Sequence, residues 1–327
     1  MTQNTEFTSV SYYTIDEKNE NQRIDNFLIS KLKNIPKSHI YKIIRNHEVR
    51  VNKKRVDNTY KLNLDDIVRV PPINNIYIKS EEIITAKLKT ELEILYEDEA
   101  ILAINKPAGM AVHGGSGVSF GIIEYLRQNT NYKFLELVHR LDKETSGVLL
   151  LAKKRSALVG IHEQIRNGKC TKKYHAVVSG NWQNPKQHLR FPLKKIVMNN
   201  GERKVFVDEN EGQESHTIIY LSARGQIGGH ICSFVEAELK TGRTHQIRVH
   251  LSHSGYPILG DEKYGNFALN KQLEKQLNSA DKNKINDINF KYRMYLHAHL
   301  FGFIHPINGN YTEIQAKTPW DYERKDI

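Results

Sequence analysis

This sequence of 327 residues has little cysteine and no membrane-length apolar run, and we expect no secretory leader at its start. Its two cysteines, Cys170 and Cys232, stand 62 positions apart and form no CxxC pair. This spacing argues against a disulfide framework and against a zinc knuckle. No run of eighteen apolar residues occurs, so we expect no membrane span.

The N-terminal segment MTQNTEFTSVSYYT has neither a basic n-region nor an apolar h-region. We therefore expect residues 1–20 to form a flexible tail rather than a secretory signal, and the protein to be cytoplasmic. A glycine-containing loop follows much later, at residues 114–117. It has neither the GxxxxGK[ST] frame nor the GxGxxG spacing, so we reject a nucleotide-binding loop there.

Positive charge is concentrated near the N-terminus. The whole chain carries a net charge of +11, and residues 21–70 hold twelve Lys and Arg against five Asp and Glu. A surplus of this kind raises the odds of a polyanionic partner without naming it.

Residues 21–72 are expected to form a small α/β domain. A first short helix is predicted around Arg23–Leu28 and a second from Pro36, with Ile40, Ile43 and Ile44 on one apolar face. A hairpin should follow, with Val49–Val51, a turn over residues 52–55 and Val56, and then a strand over residues 67–70. We expect a linker at residues 73–90 and a second domain over residues 91–327.

The runs RIDNFL and PKSHIYKIIRNHEVRVNKKRV resemble the S4 RNA-binding domain in the right order. The alternative from composition alone is a solvated, lysine-rich domain with no ligand. The resemblance implies that the basic side chains of the second helix and the hairpin contact RNA phosphates and shape rather than bases. These side chains are Lys37, Lys42, Arg45, Arg50, Lys53, Lys54 and Arg55.

A polar, turn-rich stretch over residues 139–147 feeds directly into the apolar run Val148–Ala152, which is typical of a buried strand. Asp142 would then stand at the mouth of a core strand, where a carboxylate is held rigidly and partly desolvated. The alternative is structural, with Asp142 capping a turn and Arg140 pairing with it on the surface.

The run HRLDKETSGVLLLAKKR resembles the signature of the RluA-type pseudouridine synthases, in which the aspartate of the motif is the essential catalytic residue. Two further motifs, KKYHAVV and TGRTHQIRVHL, occur downstream in the family's order. The resemblance implies that Asp142 acts on the uridine and that Arg248 pairs with Asp142 and keeps it ionised. It implies that Tyr174 stacks on the target base, and that either Tyr174, acting through water, or Asp142 takes the C5 proton. It also implies substrate contacts from His139, Arg140, Thr145 and Arg243.

Local patterns in the third motif predict a strand over Ser233–Leu239, a turn at Gly242 and a helix from a Thr244 cap to about Ser252, ended by Gly255. A zinc site at His245, His250 and His253 is an alternative, but these residues do not form the HExxH arrangement. We predict no metal and no cofactor, because the implied reaction is an isomerisation.

The resemblance therefore implies an α+β fold, with an S4-like domain followed by a catalytic domain on a mixed or largely antiparallel sheet. The resemblance runs from about residue 21 to about residue 310, and it is strongest to the subgroup that modifies large-subunit ribosomal RNA. The predicted partner is therefore 23S ribosomal RNA. Another structured RNA such as transfer RNA, a non-catalytic S4-type assembly protein and a glycosidase using Asp142 with Glu144 stay open as alternatives. A charged stretch over residues 273–289 looks like an insertion, and a monomer with no protein partner is the default.

Overall fold

The computed structural model describes residues 9–17, 19–32, 35, 37–73, 92–114, 120–198, 203–278 and 292–320. The chain divides into two compact units, residues 1–91 with 111–131 and residues 92–110 with 132–327. The helices are α1 (Ile24–Lys31), α2 (Lys37–Arg45), α3 (Ile122–Asn129), α4 (Arg155–Arg166), α5 (Gln246–His253) and α6 (Phe267–Asn278). Within the described ranges, no helix is long and apolar enough to cross a membrane.

The strands of the first unit are β1 (Ser11–Thr14), β2 (Arg50–Val51), β3 (Lys54–Arg55) and β4 (Ile67–Val70). Those of the second are β5 (Glu93–Glu97), β6 (Ile101–Lys106), β7 (Glu136–Leu137), β8 (Ser146–Ala152), β9 (Thr171–Ser179), β10 (Lys186–Leu189), β11 (Leu193–Val197), β12 (Arg203–Val207), β13 (Thr217–Ile227), β14 (His230–Leu239), β15 (Leu296–Ile304) and β16 (Tyr311–Gln315).

The first unit packs α1 and α2 on a four-stranded antiparallel sheet of order β1-β4-β2-β3. Ile40, Ile43 and Ile44 share one face of α2 and are at most 2% exposed, as the helical spacing predicts. The β2–β3 hairpin turns on Asn52 and Lys53, both with left-handed backbone at φ 48° and 66°. Two left-handed residues are the geometry of a two-residue hairpin turn.

Two predictions for this region are wrong in part. Residues 11–14 belong to the predicted flexible tail but form the edge strand β1, with Ser11 opposite Val70, and the adjacent Ile15 is 1% exposed in the core. The strand covers one side of β4 and so supplies its hydrogen-bond partners. The predicted turn over residues 52–55 is shorter, because Lys54 and Arg55 form β3.

Three predictions fall wholly or partly outside the described residues. Of the predicted linker 73–90, the structure describes Ile73, which is buried in the core of the first unit. Of the glycine-containing loop it describes Gly114. Of the stretch at residues 273–289 it describes residues 273–278, which end α6.

The second unit is built on a ten-stranded sheet. Eight strands follow the order β10-β13-β14-β9-β15-β8-β6-β5, with β16 also pairing β15 and β7 also pairing β8. The β15–β8 pair is parallel, and the other pairs of this sheet are antiparallel. Strands β11 and β12 form a separate hairpin. The predicted α+β fold with a mixed, largely antiparallel sheet is confirmed.

Strand β8 runs through the centre of this sheet, and every residue from Ser146 to Ala152 is buried. Its one glycine, Gly147, has φ +109°, and a Cβ built there would lie 2.2 Å from the carbonyl oxygen of Ala298 on β15. A side chain would therefore push the two strands apart. Glycine at this position lets β8 start against β15, and this fixes the place where the preceding polar loop ends.

Candidate active site

Asp142 lies in the loop between β7 and β8, and hydrogen bonds to backbone groups hold this loop in place. The buried ammonium of Lys106 donates to the carbonyls of Pro107, Met110 and Lys143 at 2.9, 2.7 and 2.9 Å. The Thr145 amide donates to the Asp142 carbonyl at 3.1 Å. The Asp142 side chain is 29% exposed. The loop that carries the carboxylate is thus held by hydrogen bonds, while the carboxylate itself remains partly accessible to solvent.

Arg248, on α5, lies between two carboxylates. Its Nη1 donates to Asp142 Oδ2 at 2.9 Å, while Nε and Nη2 donate to the two oxygens of Asp261 at 2.7 and 2.8 Å. Burial alone would lower the pKa of Arg248, but pairing with Asp261 and then Asp142 raises it. The predicted Arg248–Asp142 pair is present, and Arg248 stays charged.

Helix α5 begins one residue later than the predicted Thr244 cap would require. Gln246 is the first helical residue, and its Oε1 accepts the Arg243 amide at 3.0 Å. His245 takes the cap position with left-handed backbone at φ 53°, so the prediction of a Thr244 cap is wrong. Its imidazole lies 2.8 Å from the Tyr264 hydroxyl through Nδ1 and 3.7 Å from Asp142 Oδ1 through Nε2. Strained backbone of this kind is held by its surroundings.

The Tyr174 ring and Asp142 line the same cavity, whose volume is about 570 Å³. Tyr174 is on β9 and is 9% exposed. Burial, followed by the charge of Asp142, raises the pKa of its phenol. Tyr174 is therefore protonated at neutral pH.

The cavity wall is strongly basic. Asp142 is the one acidic residue among the described residues that line it, against seven Lys and Arg. These cations are Arg140, Arg166, Lys172, Lys195, Arg203, Arg243 and Arg248. Because this surplus lies around a single carboxylate, the cavity suits a polyanionic substrate.

The four other predicted substrate contacts all line this cavity but differ in freedom. Arg140 and Arg243 are exposed, although Arg243 Nε also donates to the Glu214 carbonyl at 3.2 Å. Thr145 is 2% exposed. His139 stacks on Phe301 with ring centroids 4.7 Å apart, and its Nε2 accepts the Leu150 amide at 3.1 Å. These contacts give His139 a structural task, and its RNA contact stays a prediction.

In the first unit, the predicted RNA contacts on α2 and on the hairpin are solvent-exposed. These side chains are Lys42, Arg45, Arg50, Lys53, Lys54 and Arg55. The side chain of Lys37 lies outside what the structure describes. Their role in RNA binding stays a prediction.

Asp261, His245 and Tyr264 are site residues that the sequence analysis missed. Asp261 is 1% exposed, and its side chain also accepts the amides of Lys263 and Tyr264 at 2.8 and 3.0 Å. The Tyr264 hydroxyl accepts the Val205 amide at 3.1 Å and faces His245. The run GDEKYG, which holds Asp261 and Tyr264, was the available signal, because an acid between turn residues is a common site for backbone amide bonds.

One group of potential metal ligands lies elsewhere in the described part of the second unit, on the sheet at His175, Glu236 and His299. The two imidazoles stack with centroids 3.7 Å apart and planes 11° apart. A ring nitrogen binds a metal along a lone pair in its own ring plane, so nearly parallel stacked rings cannot both point at one ion. Glu236 instead pairs with Lys173 at 2.9 Å and with His299 at 3.0 Å.

Comparison with known proteins places both units. Residues 22–68 match the S4 domain, and residues 100–253 match the family described as RNA pseudouridylate synthase. A relative from Buchnera aphidicola subsp. Schizaphis graminum (strain Sg) is 46% identical over 312 residues, covering 94% of each chain. One from Escherichia coli (strain K12) is 45% identical over 317 residues, covering 95% of this chain and 94% of the relative. Both are named ribosomal large subunit pseudouridine synthase C.

Two solved structures share the fold. The human RNA pseudouridylate synthase domain containing 1 superposes with a TM-score of 0.56 at 23% identity, covering 70% of this chain and 84% of that one. The human RNA pseudouridylate synthase domain containing 4 superposes with a TM-score of 0.54 at 24% identity, covering 74% of this chain and 94% of that one. The family match, the two relatives and the S4 match define an RNA-modifying enzyme with its own RNA-binding domain. The chain belongs to the RNA pseudouridylate synthase family.

Proposed function

We propose that this enzyme converts specific uridines of 23S ribosomal RNA to pseudouridine, with Asp142 as the acting carboxylate and without a cofactor. The observation that carries the proposal is the Asp142–Arg248 pair at 2.9 Å in a cavity lined otherwise by cations. The choice of ribosomal RNA is supported by the names of the two relatives and by the S4 domain.

The reaction needs the target uridine to leave its stack and enter the cavity. Asp142 then either attacks C1′ of the ribose or withdraws the proton from C2′, and both routes release uracil from its N1 linkage. Uracil turns within the cavity and its C5 forms the bond to C1′, which displaces the Asp142 carboxylate in the first route and is accompanied by return of the proton to C2′ in the second. C5 then loses its proton, and N1, freed from the ribose, gains one. No atom is gained or lost overall.

Tyr174 is suited to stacking rather than to proton removal. Its phenol lies in the buried wall of the cavity, and its raised pKa keeps it protonated at neutral pH. An aromatic ring supports a flipped base through its face. We therefore propose that Asp142, the carboxylate of the same cavity, accepts the C5 proton.

The test is the Asp142→Asn variant, which keeps the shape and removes the charge. We expect pseudouridine formation to fall by about a thousandfold or more, the loss typical of removing a catalytic group that acts as nucleophile or base. RNA binding and the melting temperature should remain near those of the wild type. Glu144→Gln is the matched control, because Glu144 lies two positions away with a half-exposed side chain.

Equal activity of Asp142→Asn would contradict the catalytic assignment of Asp142, whereas a wild type that forms no pseudouridine would favour a non-catalytic S4-type protein. Pseudouridine mapping of total RNA from a deletion strain tests the substrate. Unchanged 23S ribosomal RNA together with a lost pseudouridine in transfer RNA would contradict the ribosomal target. Full activity after dialysis against EDTA is the result we expect for an enzyme without a metal.

We further propose that the protein works in the cytoplasm as a monomer. The support for the location is that both relatives are named for the ribosomal large subunit. Gel filtration of the purified chain tests the monomer.

A further inference from the structure

The cations around the cavity differ in what they are bound to. Arg248 is shared between two carboxylates, and Arg243 donates to a backbone carbonyl. Four others are exposed to water: Arg140, Arg166, Lys195 and Arg203. Lys172 fits neither description, because it is half-buried and no hydrogen bond or ion pair joins its ammonium to a described residue. A charge held partly out of water without a partner is unfavourable.

The groups next to Lys172 do not supply an anion. Burial raises the pKa of the Cys170 thiol to about 11, so no thiolate forms at neutral pH. Burial, followed by the charge of Lys172, lowers the pKa of His139 to about 4, so that imidazole is neutral. Burial also lowers the pKa of Lys172 itself. Neither neighbouring group therefore carries a negative charge that could pair with the Lys172 ammonium.

The direction of the Lys172 side chain follows from the strand. Lys172 and Tyr174 are two positions apart on β9, so both side chains lie on one face, and both line the cavity. Two residues of a strand span about 7 Å. A nucleotide whose base stacks on Tyr174 thus brings its own backbone within reach of Lys172. Lys172 Nζ also lies beside the turn before α5, 3.5 Å from where a Cβ of Gly242 would be.

We infer that the Lys172 ammonium is the binding site for a phosphodiester group of the nucleotide that is isomerised. The inference rests on the proposed function for the identity of the ligand. It explains why the cavity keeps a half-buried cation without a protein partner: the partner arrives with the RNA. A phosphodiester oxygen supplies the charge-assisted hydrogen bond that the free protein lacks.

Lys173 offers a matched control one position away. Its side chain lies on the opposite face of β9 and pairs with Glu236 at 2.9 Å. Lys172→Met and Lys173→Met remove the same charge from the same strand. Lys172→Arg keeps the charge, so it should retain most of the binding.

The experiment measures binding of an in vitro transcript of 23S ribosomal RNA over a series of KCl concentrations, with each variant placed in the Asp142→Asn background. We expect Lys172→Met to weaken binding about tenfold or more, the scale of one charge-assisted hydrogen bond. It should also lower the slope of log K against log salt by about 0.7 to 0.9, the value for one lost phosphate contact. Lys173→Met should leave both quantities close to the parent.

Thermal melting of the free protein gives an independent readout. Removing a half-buried, unpartnered charge should leave the melting temperature of Lys172→Met equal to or above that of its parent, while RNA binding falls. A lower melting temperature would show that Lys172 serves the fold, and an unchanged salt slope would show that it meets no phosphate. Either result overturns the inference. Binding does not require turnover, so failure of the proposed reaction would be seen separately, as the absence of pseudouridine with the wild-type enzyme.

Discussion

Arg248 and Asp261 form a two-bond pair at 2.7 and 2.8 Å, with side chains 8% and 1% exposed. The pair leaves Nη1 as the part of the guanidinium that reaches Asp142. A guanidinium bound through two of its nitrogens cannot rotate freely, so the third nitrogen is held in a fixed direction toward Asp142. Asp261 therefore positions Arg248, the counter-ion of Asp142, while its own carboxylate is hydrogen-bonded to Arg248 and not to Asp142.

We predict that Asp261→Asn lowers the free energy of unfolding by about 3 kcal/mol, because it breaks a buried ion pair and leaves Arg248 undercompensated. Activity should fall about tenfold or more, since a displaced Arg248 no longer holds the carboxylate in place. Urea unfolding and turnover on 23S transcripts measure the two effects. Glu262→Gln, an exposed neighbour, is the control and should change neither.

The pH dependence of this pair has a defined sign. Burial alone would raise the pKa of Asp261, but the bonds and charge of Arg248 lower it from 3.8. Its contribution is therefore complete above the unfolded pKa and is lost as pH falls through the folded pKa. The stability difference between wild type and Asp261→Asn should be constant near neutrality and shrink on acidification below pH 3.8. A difference that grows in acid would contradict this account.

Local patterns predicted the parts of the fold that depend on sequence neighbours. The apolar face of α2, strand β4 and the buried run of β8 all follow from residues at helical or strand spacing. The Asp142–Arg248 contact joins residues 106 positions apart, and it could be predicted from family resemblance alone. Periodicity carries no information about such a pair.

The site residues that were missed depend on tertiary context. Asp261 looks like any acid in a turn until Arg248 is placed beside it. The left-handed backbone of His245 is uncommon for a residue with a side chain, so propensity favours the helical start that was predicted at Thr244. The imidazole of His245 lies 2.8 Å from the Tyr264 hydroxyl, a tertiary contact that local sequence does not predict. Strand β1 was missed because a short edge strand depends on its partner β4 for stability.

Lys106 is predicted to secure the loop that carries Asp142. Its three donors meet three carbonyls, and Lys106→Met would leave those of Pro107 and Met110 without that donor. We expect a loss of stability of about 1 to 3 kcal/mol at alkaline pH, where the neutral amine of the wild type still has two N–H groups to donate, together with lower turnover from a loosened loop. Lys143→Met is the control, because the side chain of Lys143 is 57% exposed while its carbonyl takes part in the same site.

Burial lowers the pKa of Lys106 to about 7 from 10.5, which fixes the sign of its linkage to pH. Between these two values the unfolded chain binds one proton more than the folded chain, so folding becomes more favourable as pH rises. The stability of the wild type relative to Lys106→Met should therefore increase from pH 7 upward, by at most about 1.4 kcal/mol per pH unit. Urea unfolding at several pH values measures this, and a flat difference would show that Lys106 stays charged throughout.

The exposed arginines of the S4 hairpin provide the last prediction. Arg50 and Arg55 are directly opposite each other on β2 and β3. The double variant Arg50→Gln, Arg55→Gln keeps the strands and removes two charges. We expect weaker binding of 23S transcripts and a salt slope lower by about 1.4 to 1.8, because each phosphate contact contributes about 0.7 to 0.9.

Turnover at saturating RNA should stay unchanged in this double variant, because the Asp142 site lies in the other unit and keeps its own contacts. Lys61→Gln is the control: it removes an exposed charge from the same unit outside the predicted contact surface, so its salt slope should match the wild type. A slope in the double variant equal to that of Lys61→Gln would mean that the hairpin meets no phosphate. The affinity of the protein for RNA would then come from its remaining basic surfaces.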